Sequence, residues 1–280
     1  MEKYAVIGHP IGHTMSPYIH KELFELKGIK AEYSALDIEQ TALANNVKYV
    51  MAGLKGFNVT IPHKEQIIPL LDYIDESAAK YNAVNCVKSD GSKLYGCSTD
   101  AYGFIKALES GNVDLNGNVL ILGAGGAART LAREATDKGC SVTLAVRDPD
   151  SEKVLSLKNW LNQNGGQAKI MALDNVSGKF NLCINATPVG MYPKTGLSPV
   201  GADVLKNCSS VFDAVYNPRE TEFLKIAKEL GLKAVGGMAM LVWQAVKAHE
   251  FWYGGKFEPS EVEKIIDAAN EEMERMFYAK

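Results

Sequence analysis

Along the first hundred residues, apolar positions gather in short unbroken runs separated by stretches of helical spacing. Residues 3–8 read as a strand buried on both faces, because apolar residues follow one another without alternation. Ser16-Pro17 predicts a helix start, with serine as N-cap and proline at the first helical position. That helix is expected to reach residue 27, where Gly28 stops it. Residues 31–36 and 56–60 read as further strands. Residues 83–88 and 93–96 flank Ser89-Asp90-Gly91, a hairpin signal. Strands alternating with helices in this way predict an α/β layer.

A second series begins near Leu115. Residues 118–123, 141–146, 168–172, 182–185 and 211–214 read as strands. Residues 127–138, 151–164 and 220–230 read as helices, ended by Gly139, Gly165-Gly166 and Gly231. Strand, crossover helix and strand in succession predict a doubly wound parallel sheet. The tail differs, because 238–253 and 259–278 read as two helices with no strand between them. No third core is available to them, so they are expected to pack back on the first domain or across the cleft. The predicted architecture is therefore α/β: an N-terminal domain over 1–103, a Rossmann-type domain over 104–237, and helices 238–280 returning to the first.

Composition narrows the function. The 280 residues are 46% hydrophobic and 22% charged, enough apolar material for a sizeable core and incompatible with wholesale disorder. A net charge of −3 lacks the basic footprint of a nucleic-acid binder. No uncharged apolar run approaches a membrane span, and MEKYAVIGHP lacks the apolar core of a secretory signal. The five cysteines, Cys86, Cys97, Cys140, Cys183 and Cys208, are scattered and never spaced as CxxC. This argues against a disulfide framework or zinc site and for a reducing cytoplasm.

The candidate chemistry lies at strand ends. Gly123-Ala124-Gly125-Gly126-Ala127-Ala128 matches GxGxx(G/A) after a strand and before a helix, the context of a dinucleotide pyrophosphate turn. The helix start would offer free N–H groups and partial positive charge. At the end of the next strand Arg147 suits a 2′-phosphate and Asp148 suits ribose hydroxyls, so NADP is favoured with NAD as the alternative. In the first domain, Thr14 and Ser16 place two hydroxyls where a helix begins, an anion pocket. GFNVTIPHK runs a strand into a turn and is expected to deliver Lys64 at the start of a short helix. Asn85 falls inside a β run, where asparagine is depleted and a buried amide needs partners. Asp100 reads as a helix-start acid that becomes an acid–base partner if Lys64 is near. Gln244 is a lone amide in an apolar helical run. His9 and His13, four apart in a glycine-rich loop without a third ligand, do not make a metal site.

Taken together, IGHPIGHTMSPYIH, GFNVTIPHK, AVNCV, STD, GAGGAAR, NATPVGM, DAVYNPRETEFL and GGMAMLVWQA, in this order, make the chain resemble the shikimate and quinate dehydrogenase family nearly end to end. The resemblance implies reversible, NADPH-dependent reduction of 3-dehydroshikimate to shikimate, in chorismate and aromatic amino-acid biosynthesis. It implies Lys64 and Asp100 as the catalytic pair. Thr14, Ser16 and Tyr216 would hold the substrate carboxylate, and Asn85, Thr60 and Gln244 its hydroxyls. Gly123, Gly125, Gly126 and Ala127 would form the pyrophosphate turn, with Arg147 and Asp148 at the ribose and Thr187, Gly237 and Met240 at the nicotinamide half. The expected partner is a small ring acid, in a cytoplasmic monomer or homodimer. Three departures stand out: Thr14 and Ser98 occupy positions where serine and asparagine are usual, and the cofactor loop reads Val-Arg-Asp. They motivate an alternative, an NAD-dependent quinate/shikimate or aminoshikimate dehydrogenase. A nucleotide-binding sensor without turnover ranks below both.

Overall fold

The computed structural model describes residues 1–12, 14–51 and 53–279. The chain forms two compact units, Met1–Gly103 with Leu241–Glu271, and Phe104–Met240 with Glu272–Lys280.

In the first unit the elements are β1 (Glu2–Gly8), α1 (Ser16–Leu26), β2 (Ala31–Asp37), α2 (Leu43–Met51), β3 (Gly56–Val59), β4 (Tyr73–Ile74), α3 (Glu76–Tyr81), β5 (Cys86–Ser89) and β6 (Leu94–Cys97). α4 (Asp100–Ser110) then leads into the second unit. Among the described residues the sheet order is β2-β1-β3-β5-β6-β4. It is a mixed sheet: β5 runs antiparallel to both its neighbours, while β1 pairs in parallel with β2 and β3. β1 is buried from Tyr4 to Gly8, as its unbroken apolar run requires. Its side chains alternate between two cores. Ala5 and Ile7 join Phe57, Val59, Ile67 and Val87 on one face, and Tyr4 joins Phe24 and Trp252 on the other.

The second unit continues with β7 (Asn118–Leu122), α5 (Gly126–Asp137), β8 (Ser141–Val146), α6 (Glu152–Gln163), β9 (Gln167–Ala172), β10 (Phe180–Asn185), α7 (Ala202–Leu205), β11 (Cys208–Asp213), α8 (Glu222–Glu229) and β12 (Lys233–Val235). Among the described residues all its strand pairs are parallel, in the order β12-β11-β10-β7-β8-β9. Read outward from β7, that is the doubly wound order, with its reversal between β7 and β10. Such a reversal opens a crevice at the carboxyl ends of the two strands.

α9 (Gly237–Tyr253) and α10 (Pro259–Tyr278) form the tail. Leu241–Glu271 belongs with the first unit, where the Trp252 indole donates to Val87 O at 2.9 Å. From Glu272 on, however, α10 belongs with the second unit. There the Tyr192 ring lies 5.3 Å from Phe277, and the Tyr278 hydroxyl donates to Asn217 Oδ1 at 2.9 Å. Sequence reading also missed α2, α3, α7, β4 and β12. The two strands span two and three residues, too few for a period to register. The five cysteines are buried and free.

Candidate active site

In the first sheet the topology gathers the polar clusters at one end. β1, β3 and β6 finish there, and antiparallel β5 begins there. The loops after β1 and β3 leave side by side, because Thr60 N donates to Ile7 O and His9 N to Ile61 O, both at 2.9 Å.

After β1, Thr14 and Ser16 are both half-buried. Thr14 Oγ1 donates to Ser16 Oγ at 3.1 Å and accepts from Ser16 N at 3.2 Å. Ser16 is not the N-cap: Met15 occupies that position without a side-chain bond, and Ser16 is already helical. The Thr14 hydroxyl supplies the local acceptor instead, which leaves the Ser16 hydroxyl its own proton to donate. His9 Nδ1 lies 2.6 Å from Asp37 Oδ1, and both side chains are exposed. His13 lies outside the described residues, and among those described no group of metal-ligating side chains forms.

After β3, Lys64 stands in a run of turns, not on a helix; helical geometry begins only with the short 3-10 turn Ile68–Leu70. Pro62 disfavours helical backbone before it. His63, fully buried, anchors the turn from inside by donating from Nε2 to Ile38 O at 2.6 Å. The Lys64 side chain remains 27% exposed, and its Nζ donates to Asp100 Oδ2 at 2.6 Å. The Asp100 side chain, 7% exposed, opens α4 as expected. Asn85 lies just before β5 rather than inside it. Its Nδ2 donates to Asp100 Oδ1 at 2.9 Å and to Thr99 Oγ1 at 3.0 Å, and its Oδ1 accepts from Thr99 N at 2.7 Å. Asn85 therefore grips one carboxylate oxygen while Lys64 takes the other. Val84 N donates to Lys64 O at 2.8 Å and ties the lysine turn to the same strand. Thr60 and Gln244 are half-buried, and the Ser98 hydroxyl is buried with no partner among the described residues.

In the second unit the turn after β7 has the shape its glycines require. Gly123 has φ +103°, and a Cβ there would stand 2.9 Å from Thr187 Cγ2. That contact sets the loop after β10 against the glycine turn. Gly125 is the N-cap of α5 and Gly126 its first residue. A Cβ on either would meet nothing within 4 Å, so open space faces the helix's first free N–H groups. Gly126 and Ala127 are exposed, while Ala128 is fully buried against the sheet. Open space, unpaired N–H groups and the positive end of a twelve-residue helix fit a dinucleotide pyrophosphate.

Arg147 and Asp148 are both exposed just past β8, the neighbour of β7. Asp148 Oδ1 accepts from Asp150 N at 3.3 Å, and its carbonyl accepts from Ser151 Oγ at 3.1 Å. The aspartate thus shapes its own loop ahead of α6. Gly237 comes close to other backbone, since a Cβ there would lie 2.6 Å from Ala214 O. Met240 is 7% exposed within the core formed by Phe104, Ile184 and Phe212. Tyr216 is half-buried on the loop after β11.

Sequence reading missed a second polar hub. Asn185 ends β10 and Asp213 ends β11, and both are fully buried. Asn185 Nδ2 donates to Asp213 Oδ1 at 2.9 Å, and its Oδ1 accepts from Thr187 Oγ1 at 2.7 Å and Thr187 N at 3.0 Å. Asp213 also accepts from Val215 N at 3.0 Å and Thr221 Oγ1 at 2.5 Å. Burial pushes its carboxyl up to about 6, against the pull of these donors. The signal that singled out Asn85, an asparagine within a predicted strand, was present at Asn185 too.

Residues 6–87 match the family model of the shikimate dehydrogenase substrate binding domain. The chain is 40% identical over 270 residues to a shikimate dehydrogenase (NADP(+)) of Clostridium perfringens strain SM101, covering 95% of this chain and 98% of that one. Its structure is similar to a chorismate mutase/shikimate 5-dehydrogenase fusion protein from Clostridium acetobutylicum, with TM-score 0.89, 35% identity, and 98% and 99% of the two chains covered. It is also similar to a shikimate 5-dehydrogenase from Thermus thermophilus in complex with NADP(H) and shikimate, with TM-score 0.85, 35% identity, and 96% and 100% covered.

Proposed function

The chain belongs to the shikimate dehydrogenase family, and from that premise we propose that it interconverts 3-dehydroshikimate and shikimate with NADPH and NADP. The observation that carries the reading is the Lys64–Asp100 pair, 2.6 Å apart and half-sheltered, with the second carboxylate oxygen held by Asn85. Gly123, Gly125, Gly126 and Ala127 hold the pyrophosphate and Arg147 the 2′-phosphate, with Thr187, Gly237 and Met240 on the nicotinamide side. When bound, the cofactor supplies the hydride.

The other steps belong to this chain. Ser16 donates a hydroxyl hydrogen bond to the ring carboxylate, and the Thr14 hydroxyl turns its proton from Ser16 Oγ to the carboxylate to donate a second. Thr60, Asn85 and Gln244 bond the ring hydroxyls. As the C3 carbonyl is reduced, negative charge gathers on its oxygen. The Lys64 ammonium stabilises that charge and transfers a proton from Nζ to the oxygen. Asp100 Oδ2 accepts from Nζ and aims the ammonium; Lys64 regains its proton through its exposed flank. In the oxidative direction neutral Lys64 removes the hydroxyl proton.

Asp148 is engaged in its own loop, and the relatives are named for NADP(+), so neither NAD nor quinate is favoured. We place the enzyme in the cytoplasm, a reading that five free, buried cysteines support. The test is NADP reduction by the purified protein with shikimate and with quinate, beside the Lys64→Ala variant. Turnover with shikimate and NADP, lost by about 10²–10⁴-fold in Lys64→Ala, is the expected result. Near-normal turnover in that variant would refute the assignment of the pair.

A further inference from the structure

Tyr33 lies on β2, the outer strand of the first sheet, two strands from β3. It is nevertheless joined to the Lys64–Asp100 pair by an unbroken line of hydrogen bonds. Its hydroxyl donates to Asn58 Oδ1 at 2.8 Å, and Asn58 Nδ2 donates to Asn85 O at 3.1 Å. Asn85 Nδ2 then donates to Asp100 Oδ1 at 2.9 Å, and Asp100 Oδ2 accepts from Lys64 at 2.6 Å.

The polarity of this line is forced. Asn85 O can only accept, so Asn58 must turn its amide nitrogen toward it. That leaves Asn58 Oδ1 in need of a donor, which Tyr33 provides. Asn85 O also accepts from Val59 N at 2.9 Å, so both of its lone pairs are filled and the peptide before β5 is fixed. Removing the Tyr33 hydroxyl would free Asn58 to rotate and leave Asn85 O with one donor. The Asn85 side chain, which sets where Asp100 Oδ1 sits, would then loosen.

Tyr33 is itself well held. Its ring stacks on His20 with centroids 4.1 Å apart and planes 5° from parallel. His20 is 2% exposed and its Nδ1 lies 2.9 Å from His249 Nε2. Burial keeps the Tyr33 hydroxyl protonated, so it remains a donor throughout the working pH range.

We infer that Tyr33 is a positioning residue for the reaction, acting through Asn58 and Asn85 on the geometry of Asp100 and Lys64. The inference rests on the catalytic reading of that pair. Tyr33→Phe keeps the stacked ring and deletes only the hydroxyl. It should lower kcat about fivefold, the worth of one buried hydrogen bond, with the KM for NADPH unchanged. It should also move the limbs of the kcat–pH profile that report the pair. A residue with a purely structural role would lower the melting temperature and leave the profile in place. Asn58→Ala breaks the same line from its middle, and serves if Tyr33→Phe folds poorly. In the Asn58→Ala background, adding Tyr33→Phe should cost no further kcat.

Wild-type kcat and pH profile in Tyr33→Phe, or an undiminished loss in the Asn58→Ala background, would overturn the inference. If the profile is unmoved in both single variants, it is overturned as well. Lys64→Ala measured in parallel separates the two failures. Near-normal turnover there overturns the catalytic reading and the inference with it, whereas a dead Lys64→Ala beside an unaffected Tyr33→Phe overturns the inference alone.

Discussion

Asn85 with Asp100 in the first unit, and Asn185 with Asp213 in the second, are bonded alike: each asparagine amide donates to Oδ1 of its aspartate at 2.9 Å. The difference lies at the other oxygen. Asp100 Oδ2 meets the Lys64 ammonium, whereas Asp213 Oδ2 meets, among the described residues, the neutral Thr221 hydroxyl. Asp213 has no cationic partner among the described residues, and burial raises it to about 6. Its neutral donors tie together the loops carrying Thr187, Val215 and Thr221. Beside a half-exposed lysine, the same arrangement can aim a proton donor at a ligand. The asparagine–aspartate hub thus recurs in both units, and the added cation in the first is what the proposed proton transfer requires.

Breaking the cation gives the largest effect. Lys64→Ala should lose about 10²–10⁴-fold in kcat while its urea-unfolding midpoint changes little. Asp213→Asn should do the reverse, keeping kcat within a few-fold but changing how stability depends on pH. The Asp213 carboxyl titrates near 3.8 unfolded and at about 6 folded, so the folded state binds the extra proton between those values. Its contribution is complete below 3.8 and lost as pH rises through about 6. The loss is about 3 kcal/mol, an amount that the asparagine variant should not show in urea titrations.

The first unit should respond to pH with the opposite sign. Burial lowers His249 to about 3 and holds His20 well below its ordinary value, so both stay neutral when folded. Unfolded, they bind protons near 6.5, so their contribution is complete above 6.5 and falls as pH drops toward about 3. Each such group costs about 1.4 kcal/mol per pH unit over its window. Hydrogen exchange should therefore show the amides of Ile19 and Leu23 losing protection on acidification, relative to those of Ile184 and Phe212. Equal loss in both units would contradict the contrast. The smallest effect is that of Thr221→Val, which removes the bond to Asp213 and the cap on Leu224 N. It should cost about 1–2 kcal/mol in thermal unfolding without affecting the KM for shikimate.

Much of this was legible in the sequence because it depends on neighbours along the chain. The glycine turn at Gly123, the strand before it and the helix after it follow from local backbone preference and apolar runs. β8 and α10 lie where the pattern puts them, 141–146 and 259–278. Asn85 drew attention as an asparagine in a β run and Asp100 as a helix-start acid, whereas Lys64 was marked only by its motif and the family resemblance. Their local settings were misjudged, however, with Lys64 on a turn instead of a helix and Asn85 ahead of its strand. Pro62 and the buried His63 anchor decide the first, and the grip of Asn85 on Thr99 decides the second.

By itself, then, the sequence determined the two α/β units, the glycine turn that opens α5 and the identity of the polar residues, since turn chemistry and periodicity act over a few positions. Only the tertiary structure decided who bonds whom. It brought His20 to His249, 229 residues away, Tyr33 to Asn58, and Asp213 to both Asn185 and Thr221. A buried polar group must find a partner, and which partner it finds depends on the strand order that sets distant segments side by side.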